Sequence, residues 1–430
     1  MKKFFVVFLT LLVVTVAFSE KVIFDFWHGM GGGQGQTLTA LANAFNAENP
    51  DVEVNLVYVG NYGALQQRLL STVTAYMQGT KEGLPALAQA YANWTARFLF
   101  SDVVEPLNEY IEGSPEFKDA WDNQIYDVFK DMTIWGDNVY AIPYNKSTYV
   151  YYYNADLFDL YGLDVPKTFE DLIYVTRMMT EDFTGDGNTD QFGLGARTHI
   201  DDFQIFLFGF DSEFLEYAGN GQYKVIFDKN VARQALQLTQ AMRDEKIALF
   251  EGGYLNDPFG AGQIAAYMGT IAGKTYVDAS ARGRMEWNWA PIPSFDGVSR
   301  PPIAGTDVVM FNWVDQDQRD ASFRFMEFLL EPVNMAYWAI NTGYLPVRRD
   351  VVDTEQWKAY VIRDQKPVIA LNSLEHAKPD PKPAAWNDIR NTYGLIFQNF
   401  INNQISLEEA LNRMENALYD HLEETGELAK

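Results

Sequence analysis

The chain from residue 22 onward alternates short apolar runs with amphipathic ones. Val22–Trp27 is a short apolar run that predicts a buried strand, and a polar, glycine-rich bend follows from His28 to Gln36. Apolar residues then recur at helical spacing from Leu38 to Phe45. The same order continues with a strand at 51–60, a helix at 62–77, a strand at 84–92 and a further helix. This rhythm predicts a parallel sheet covered by helices.

Two extended stretches interrupt the pattern. Val139–Asn154 is long and is broken by Pro143 and a polar segment, and Trp287–Pro293 is strand-like and ends in prolines. Because such stretches suit interdomain connections, we expect two α/β lobes joined by more than one crossing. Between and after them, the pattern predicts helices at 168–179, 230–248, from 257, 318–330, 333–340, 384–397 and 406–422, strands at 192–195, 264–269 and 308–313, and a tight break at 343–346.

The N-terminus has the pattern of a secretory signal. Lys2 and Lys3 precede a nearly unbroken apolar stretch, Phe4–Ala17, and Ala17-Phe18-Ser19 offers a small-residue cleavage site. We therefore predict a cleaved signal peptide over residues 1–19 and an exported, periplasmic or extracytoplasmic protein. The alternative is an uncleaved membrane anchor, although the apolar run is short for a membrane span.

Composition narrows the partners. The 430 residues carry a formal net charge of −25, which argues against nucleic acid and anionic membranes. The sequence has no cysteine, so it forms no disulfide and no thiolate metal site. We expect a monomer that binds no nucleic acid.

Catalytic signatures are missing where they can be read. The sequence contains no G-x-S-x-G or H-E-x-x-H, and its glycine-rich bend lacks the residues of a phosphate-binding loop or a dinucleotide fingerprint. The 58 acidic residues would supply paired carboxylates for glycoside hydrolysis in any fold, so their number indicates nothing.

One acidic loop has a more specific spacing. Asp182, Asp186 and Asp190 occupy positions 1, 5 and 9 of an EF-type loop, with Gly187 at position 6. Position 12 is Gly193 rather than a glutamate. A structural calcium ion and a solvated turn are the two interpretations, and we expect no other cofactor.

Six short segments stand in a characteristic order along the chain: FWHGM (26–30), FNAENPD (45–51), GNY (60–62), PYNKST (143–148), GTDVVMF (305–311) and TGYLP (342–346). Taken together, they resemble the extracellular solute-binding proteins of carbohydrate-uptake ABC transporters, and most closely their glycerol-3-phosphate-binding branch. The resemblance covers essentially the whole chain after the signal. It implies an α/β, two-lobed periplasmic-binding-protein-like (type II) fold with a hinge and an interlobe cleft. Its lobes would be residues 20–146 plus 291–338 and residues 147–290 plus 339–430.

The resemblance also implies binding residues. Tyr62, Ser147, Gly305 and Tyr344 match ligand-contacting positions of the glycerol-3-phosphate branch. Two positions differ, because Ala92 stands where the branch has a hydroxyl-binding Glu and Lys382 approximately where it has a phosphate-binding Arg. Thr270 and Lys274 correspond loosely to a serine-rich turn. Lysine lacks the bidentate fork of arginine, so a neutral sugar or polyol becomes an alternative to a phosphate.

Aromatic content supports a sugar independently. The 10 Trp and 24 Tyr residues could cover the apolar face of a pyranose, while polar side chains satisfy its hydroxyls. Core packing is the competing role for each of them. His28 follows the first strand, at the edge where open α/β sheets bind ligands, and could equally shape its loop. The candidates of this kind are Trp27, His28, Trp94 and Trp386.

We predict a binding protein that captures a sugar, polyol or sugar/glycerol phosphate between its lobes and delivers it to the ABC permease. The alternative is a secreted glycoside hydrolase, which needs two carboxylates facing each other across the cleft. A secreted protein-binding module is the third hypothesis, and it predicts no thermal shift with small molecules.

Overall fold

The structure is a computed structural model that describes residues 21–430. The predicted signal peptide lies outside the described residues. Within residues 21–430, no helix combines the length and the apolar character that a membrane span needs.

Fourteen strands are described, and ten of them share one sheet. Its order is β10-β7-β11-β6-β13-β3-β1-β2, with β12 paired to β6 and β14 paired to β13. The strands are β1 (Val22–His28), β2 (Val52–Tyr58), β3 (Leu87–Ala90), β4 (Ile134–Trp135), β5 (Asn138–Val139), β6 (Ala141–Asn154), β7 (Leu194–Arg197), β8 (Leu215–Gly219), β9 (Gln222–Val225), β10 (Ala248–Glu251), β11 (Ala266–Thr270), β12 (Trp287–Ala290), β13 (Pro302–Met310) and β14 (Lys378–Pro379).

Helices pack around this sheet and complete the hydrophobic cores of the two lobes. They are α1 (Gly32–Glu48), α2 (Tyr62–Met77), α3 (Ala92–Leu99), α4 (Asn108–Gly113), α5 (Pro115–Asn123), α6 (Asp127–Lys130), α7 (Ala155–Tyr161), α8 (Phe169–Met178), α9 (Ile200–Gly209), α10 (Lys229–Asp244), α11 (Asn256–Gly260), α12 (Lys274–Ser280), α13 (Gln316–Leu330), α14 (Pro332–Thr342), α15 (Glu355–Val361), α16 (Lys366–Asn372), α17 (Trp386–Ile401) and α18 (Leu407–Glu424).

Strand β6 joins the two lobes. Its first half pairs antiparallel with β13, and its second half pairs with β11 and β12. The sequence predicts an interruption at Pro143, but the strand is continuous. The register skips Tyr144, because Pro143 lies opposite Asp307 and Asn145 lies opposite Thr306. A bulge of this kind accommodates a proline within a ladder.

In the first lobe, β1 lies between β2 and β3 and is parallel to both, as predicted. Strand β13 pairs antiparallel with β3. In the second lobe, β10 and β7 are parallel and β11 is parallel to β7. In open α/β sheets, ligands bind beyond the carboxyl ends of such strands. We therefore expect a ligand site at the loops after β1 and β3 in one lobe and after β7 in the other.

The predicted boundary between residues 338 and 339 falls inside α14. The chain that follows it still contacts the first lobe, since Arg348 forms an isolated bridge with Ile125 and Arg349 pairs with Asp127. The other two predicted boundaries, 146/147 and 290/291, fall within β6 and at the end of β12.

Candidate functional site

A network of neutral polar side chains lies where β6 leaves the first lobe. Asn145 on β6 donates from Nδ2 to the hydroxyl of Tyr62 at 3.0 Å. The Oδ1 atom of Asn145 accepts from Thr306 Oγ1 at 2.7 Å and from Gln89 Nε2 at 3.1 Å. The Tyr62 hydroxyl also lies 3.4 Å from the hydroxyl of Tyr344. Strands β3, β6 and β13 and the start of α2 thus fix one polar centre.

Local structure explains the position of each tyrosine. Tyr62 begins α2, directly after Asn61, whose side chain caps the helix by accepting from Ala64 N at 3.0 Å. Tyr344 follows Gly343, which ends α14 with φ +80°, a conformation that favours glycine. The Tyr344 ring stacks on Trp338 at 5.7 Å between centroids. Both hydroxyls are therefore held by backbone turns rather than by flexible loops.

Tyr91 adds a third ring to this wall. It follows β3 and precedes α3, and it meets Tyr62 edge-to-face at 5.4 Å. Trp94, one turn into α3, supports Tyr91 edge-to-face at 5.0 Å. Trp94 itself is buried. The ring that contacts Tyr62 is Tyr91, which was not among the predicted site residues.

The second lobe presents charged groups instead. Arg197 ends β7, Asp201 and Asp202 lie in the first turn of α9, and Arg390 lies one turn into α17. The Arg390 guanidinium donates to the carboxylate of Asp201 and, at 2.9 Å, to that of Asp380. Asp201 also lies 3.7 Å from Arg197. The cations and carboxylates of this wall are therefore paired with one another.

The charged neighbours in this wall determine the ionisation states of its aspartates and arginines. Burial alone would raise the pKa of Asp201, but Arg390, His199 and Arg197 outweigh it and hold that pKa well below its usual range. Burial raises the pKa of the neighbouring Asp202 to about 7, because Arg197 offsets the loss of solvent only in part. Burial would lower the pKa of Arg390, yet Asp201 and Asp380 raise it. Arg390 is thus a fixed cation and Asp201 a fixed anion at neutral pH.

The two walls face each other. The pKa of Tyr91 is raised by burial and by Tyr344, and Arg390, Asp201 and Tyr254 of the second lobe also act on it. At the rim, Gln66 Nε2 donates to Asn387 Oδ1 at 3.0 Å, so the first turn of α17 lies against α2. A second rim contact joins Arg97 of α3 to Asp388 at 3.5 Å. The hydroxyl network and the charged cluster therefore border one interlobe cleft.

Three predicted residues lie at the crossing between the lobes. Ser147 is buried, and its Oγ accepts from the amide of Ala272 at 3.4 Å. Thr270 uses its carbonyl to accept from the Tyr152 hydroxyl at 2.8 Å. Gly305 has φ +98°, and a Cβ there would lie 2.0 Å from the Asn145 carbonyl oxygen, so the close approach of β6 and β13 requires glycine. Ser147, Thr270 and Gly305 are thus structural parts of the hinge beside the network.

The predicted tryptophans have structural surroundings. Trp27 is buried in a first-lobe core, with the Arg68 guanidinium 4.1 Å from its ring centroid. Trp386 is fully buried in the second lobe and packs edge-to-face on Phe214 at 5.2 Å. Ala92 is buried at the start of α3, next to Tyr91. The structure therefore brings Tyr62 and Tyr344 together in the cleft but places Trp27 and Trp386 in cores.

His28 lies at the carboxyl end of β1. Its Nδ1 accepts from the amide of Met30 at 3.2 Å, and burial lowers its pKa to about 4. With Tyr58 and the glycines at the start of α1, it lines an open groove in the first lobe. The imidazole is neutral at physiological pH and shapes the turn between β1 and α1.

Lys382 is bound by backbone carbonyls of the first lobe. Its ammonium donates to the carbonyl of Asp131 and to that of Ile134 at 2.5 Å, and it lies 4.9 Å from the ring centroid of Trp135. Burial lowers its pKa to about 8. The carboxylates of Asp131 and Asp307 offset part of this effect on the pKa of Lys382, and Asp307 itself pairs with Lys146 at 2.6 Å. Arg390, rather than Lys382, is the cation at the cleft.

The acidic loop binds its own backbone. Asp182 accepts from the amides of Gly185 at 2.7 Å and Gly187 at 2.8 Å. Asp186 accepts from Asn188, and Asp190 from the amide of Thr184 at 2.9 Å. In residues 21–430, no group of three or more His, Cys, Asp or Glu side chains is arranged to hold a metal ion. A structural calcium at this loop stays a prediction.

Comparison with known proteins identifies the class that this fold and cleft define. The family of bacterial extracellular solute-binding proteins matches residues 40–365, and the chain belongs to that family. This confirms the predicted resemblance and the predicted export.

Individual relatives and structures agree with this class. The chain is 28% identical over 374 residues to the sn-glycerol-3-phosphate-binding periplasmic protein UgpB of Pectobacterium atrosepticum, covering 83% of this chain and 80% of that protein. It superposes on UgpB from Mycobacterium tuberculosis in complex with glycerophosphocholine with a TM-score of 0.79, 18% identity and coverage of 93% and 98%. It superposes equally, with a TM-score of 0.79, 20% identity and coverage of 94% and 99%, on the GacH receptor of Streptomyces glaucescens, whose structures include an acarbose complex. These superpositions confirm the two-lobed α/β fold.

Proposed function

We propose that this protein captures a small polyhydroxylated solute in the interlobe cleft and delivers it to the transmembrane subunits of an ABC importer. The observation that carries the proposal is the network of Tyr62, Asn145 and Tyr344, in which the buried Asn145 holds the Tyr62 hydroxyl beside that of Tyr344 at the cleft. Hydroxyl-rich solutes need such donors and acceptors, and the Tyr91 ring supplies an apolar face beside them. The named ligands of the relatives, glycerol 3-phosphate and acarbose among them, are polyhydroxylated.

Closure would follow from contacts with both walls. A solute that touches the tyrosines of the first lobe and the α9–α17 wall of the second stabilises the arrangement in which the lobes meet. The rim contacts Gln66–Asn387 and Arg97–Asp388 join the two lobes, so they would add to the stability of that arrangement without touching the solute.

The charge pairing at the cleft supports binding over glycoside hydrolysis. Hydrolysis needs one carboxyl group as acid and a second as nucleophile or base on opposite sides of the scissile bond. Asp201 and Asp380 both belong to the second-lobe wall and both bind Arg390. These two carboxylates therefore lie on one side of the cleft rather than facing each other across it.

Mass spectrometry of the solute released from the purified secreted chain, with calorimetry of its rebinding, tests the function. We expect one small polyhydroxylated solute per monomer, rebinding stoichiometrically and surviving unchanged. Size-exclusion chromatography with light scattering tests the monomer. Turnover of maltotriose or of the released solute would overturn the proposal in favour of a hydrolase. No binding of any small solute would favour a protein-binding module.

A further inference from the structure

We infer that the cleft selects an uncharged solute and that Asp201 is the residue that sets this preference. The inference rests on the proposed binding function and narrows its ligand to a neutral sugar or polyol. Arg390 is the cation best placed to meet an anionic group, but its guanidinium is already bound by Asp201 and Asp380. Gln204 lies at 3.5 Å on the same guanidinium.

The pairing is built into buried structure. Asp201 is 8% exposed and belongs to α9, a helix buried along its whole length. His199 Nδ1 lies 3.1 Å from the Asp201 carboxylate, and Arg197 approaches it from β7. A carboxylate held from three sides cannot swing away to free Arg390 without leaving those partners unpaired.

The other cations around the cleft also have carboxylates beside them. Arg197 lies over the ring of Tyr254 at 5.2 Å and 3.7 Å from the Asp201 carboxylate, although its buried Nε has no hydrogen-bond partner among the described residues. Lys274, near the hinge, pairs with Asp278 at 2.8 Å and Asp364 at 3.3 Å. A phosphate entering here would meet carboxylates beside every one of these cations. Like-charge contact in a partly desolvated cleft disfavours such a ligand.

A neutral solute meets no such conflict. It would bind the hydroxyls of Tyr62 and Tyr344 on one wall, and it would accept from or donate to the paired Arg390–Asp201 unit on the other. A fixed ion pair offers both donors and acceptors to hydroxyl groups without needing a counter-charge. The arrangement therefore recognises hydroxyls from both lobes and excludes an extra anion.

The first test is the charge class of the solute released from the secreted protein, followed by calorimetry with glucose, maltose, myo-inositol and sn-glycerol 3-phosphate. We expect an uncharged solute and at least tenfold weaker binding of sn-glycerol 3-phosphate than of the preferred neutral probe. A phosphorylated or carboxylated solute, or tighter binding of sn-glycerol 3-phosphate, would overturn the inference and leave the binding function intact. Failure to carry or bind any solute would instead overturn the binding function itself.

The second test is Asp201→Asn, which keeps the shape of the side chain and removes its charge. We expect affinity for sn-glycerol 3-phosphate to rise about tenfold at low salt, and the gain to shrink as salt increases. The matched control is Asp420→Asn, because Asp420 is exposed on α18 and its substitution changes net charge equally. An equal gain in the control, or no gain in a folded Asp201→Asn protein, would overturn the inference. If Asp201→Asn does not fold, Asp380→Asn frees the same guanidinium from a more exposed position, and absence of a gain there has the same meaning.

Discussion

The buried polar groups of the two cleft walls find their partners in different ways. On the first lobe, Tyr62, Tyr344 and Asn145 carry no charge and satisfy one another through hydrogen bonds. On the second lobe, Arg390 and Asp201 carry full charges and satisfy one another through ion pairs. Neutral groups are cheap to expose to a solute, whereas charged groups removed from water must keep their partners.

This difference assigns separate roles to the walls. Loss of a hydroxyl on the first lobe should weaken binding and leave folding nearly intact. Loss of a charge on the second lobe should damage folding, because a buried partner is left unpaired. The four predictions below test this contrast, from the largest expected effect to the smallest.

The largest effect should come from Arg390→Leu. It leaves Asp201 buried without its main cation, so we expect a loss of about 3 kcal/mol in the free energy of unfolding, measured by urea denaturation. Arg413→Leu is the control, since Arg413 pairs with Glu409 on the exposed face of α18 and should cost about 0.5 kcal/mol or less. Similar losses for both variants would contradict the contrast between the walls.

The neutral state of His28, a buried polar group of the first lobe, should appear in the pH dependence of stability. Burial lowers the pKa of His28 from 6.5 to about 4, so the unfolded chain takes up a proton at a pH where the folded chain does not. Stability is therefore unaffected above pH 6.5 and falls as the pH drops towards 4. At pH 4.5 the loss due to His28 should be about 2 kcal/mol.

Unfolding of wild type and His28→Gln between pH 7.5 and pH 4.5 measures this loss. The free energy of unfolding of the wild type, relative to that of His28→Gln, should fall by about 2 kcal/mol at the lower pH, because glutamine takes up no proton. Carboxylates also respond to acid, so only this difference is informative. His376→Gln, at an exposed histidine, should follow the wild-type profile. Parallel profiles for wild type and His28→Gln would show that folding does not lower the pKa of His28.

Tyr62→Phe should mainly weaken binding. It removes the hydroxyl that accepts from Asn145 and faces Tyr344, so we expect affinity for the released solute to fall about tenfold, with about 1 kcal/mol lost in stability. Calorimetry and thermal melting measure the two quantities. Tyr174→Phe, at an exposed tyrosine of α8, should change neither. Unchanged affinity in Tyr62→Phe would remove the network from the binding site.

The smallest effect should come from the rim. Asp388→Asn removes the ion pair with Arg97, in which both side chains are more than 40% exposed. Exposed pairs contribute little, so we expect less than a twofold change in solute affinity, disappearing at about 0.5 M salt. A larger change that persists in salt would make the rim, rather than the walls, the part that holds the lobes together.

Much of the fold could be predicted from the pattern of apolar residues. The predicted helix at 62–77 matches α2, and the predicted strand at Val22–Trp27 is one residue shorter than β1. Helix α2 has one buried and one exposed face, which gives a clear period, and β1 is a short apolar run that ends at a polar, glycine-rich bend. The predicted helix at 230–248 is too long, because Ala248 already begins β10. A short apolar run at the end of a helix is compatible with either a helix or a strand. Here the pairing of residues 248–251 with β7 makes it a strand.

The second-lobe wall shows where pattern reasoning fails. Helix α9 (Ile200–Gly209) was not predicted, because it is buried along its whole length and has no polar face to reveal its period. It carries Asp201, the partner of Arg390, and the two residues are far apart in sequence. Two adjacent aspartates at the start of an apolar run were the available signal, since acidic residues favour a helix N-terminus.

Sequence alone therefore determined the alternating β–α order, the class of protein and the tyrosines at Tyr62 and Tyr344, because periodicity and short motifs are local properties. Tertiary structure alone decided that Trp27 and Trp386 are core residues, that Lys382 binds backbone carbonyls of the first lobe and that Arg390 is a cation of the cleft. Which charges are paired depends on distances between segments that are remote in sequence. Those distances arise only when the sheet and its helices pack, and in this protein they decide whether the cleft has a free charge for its ligand.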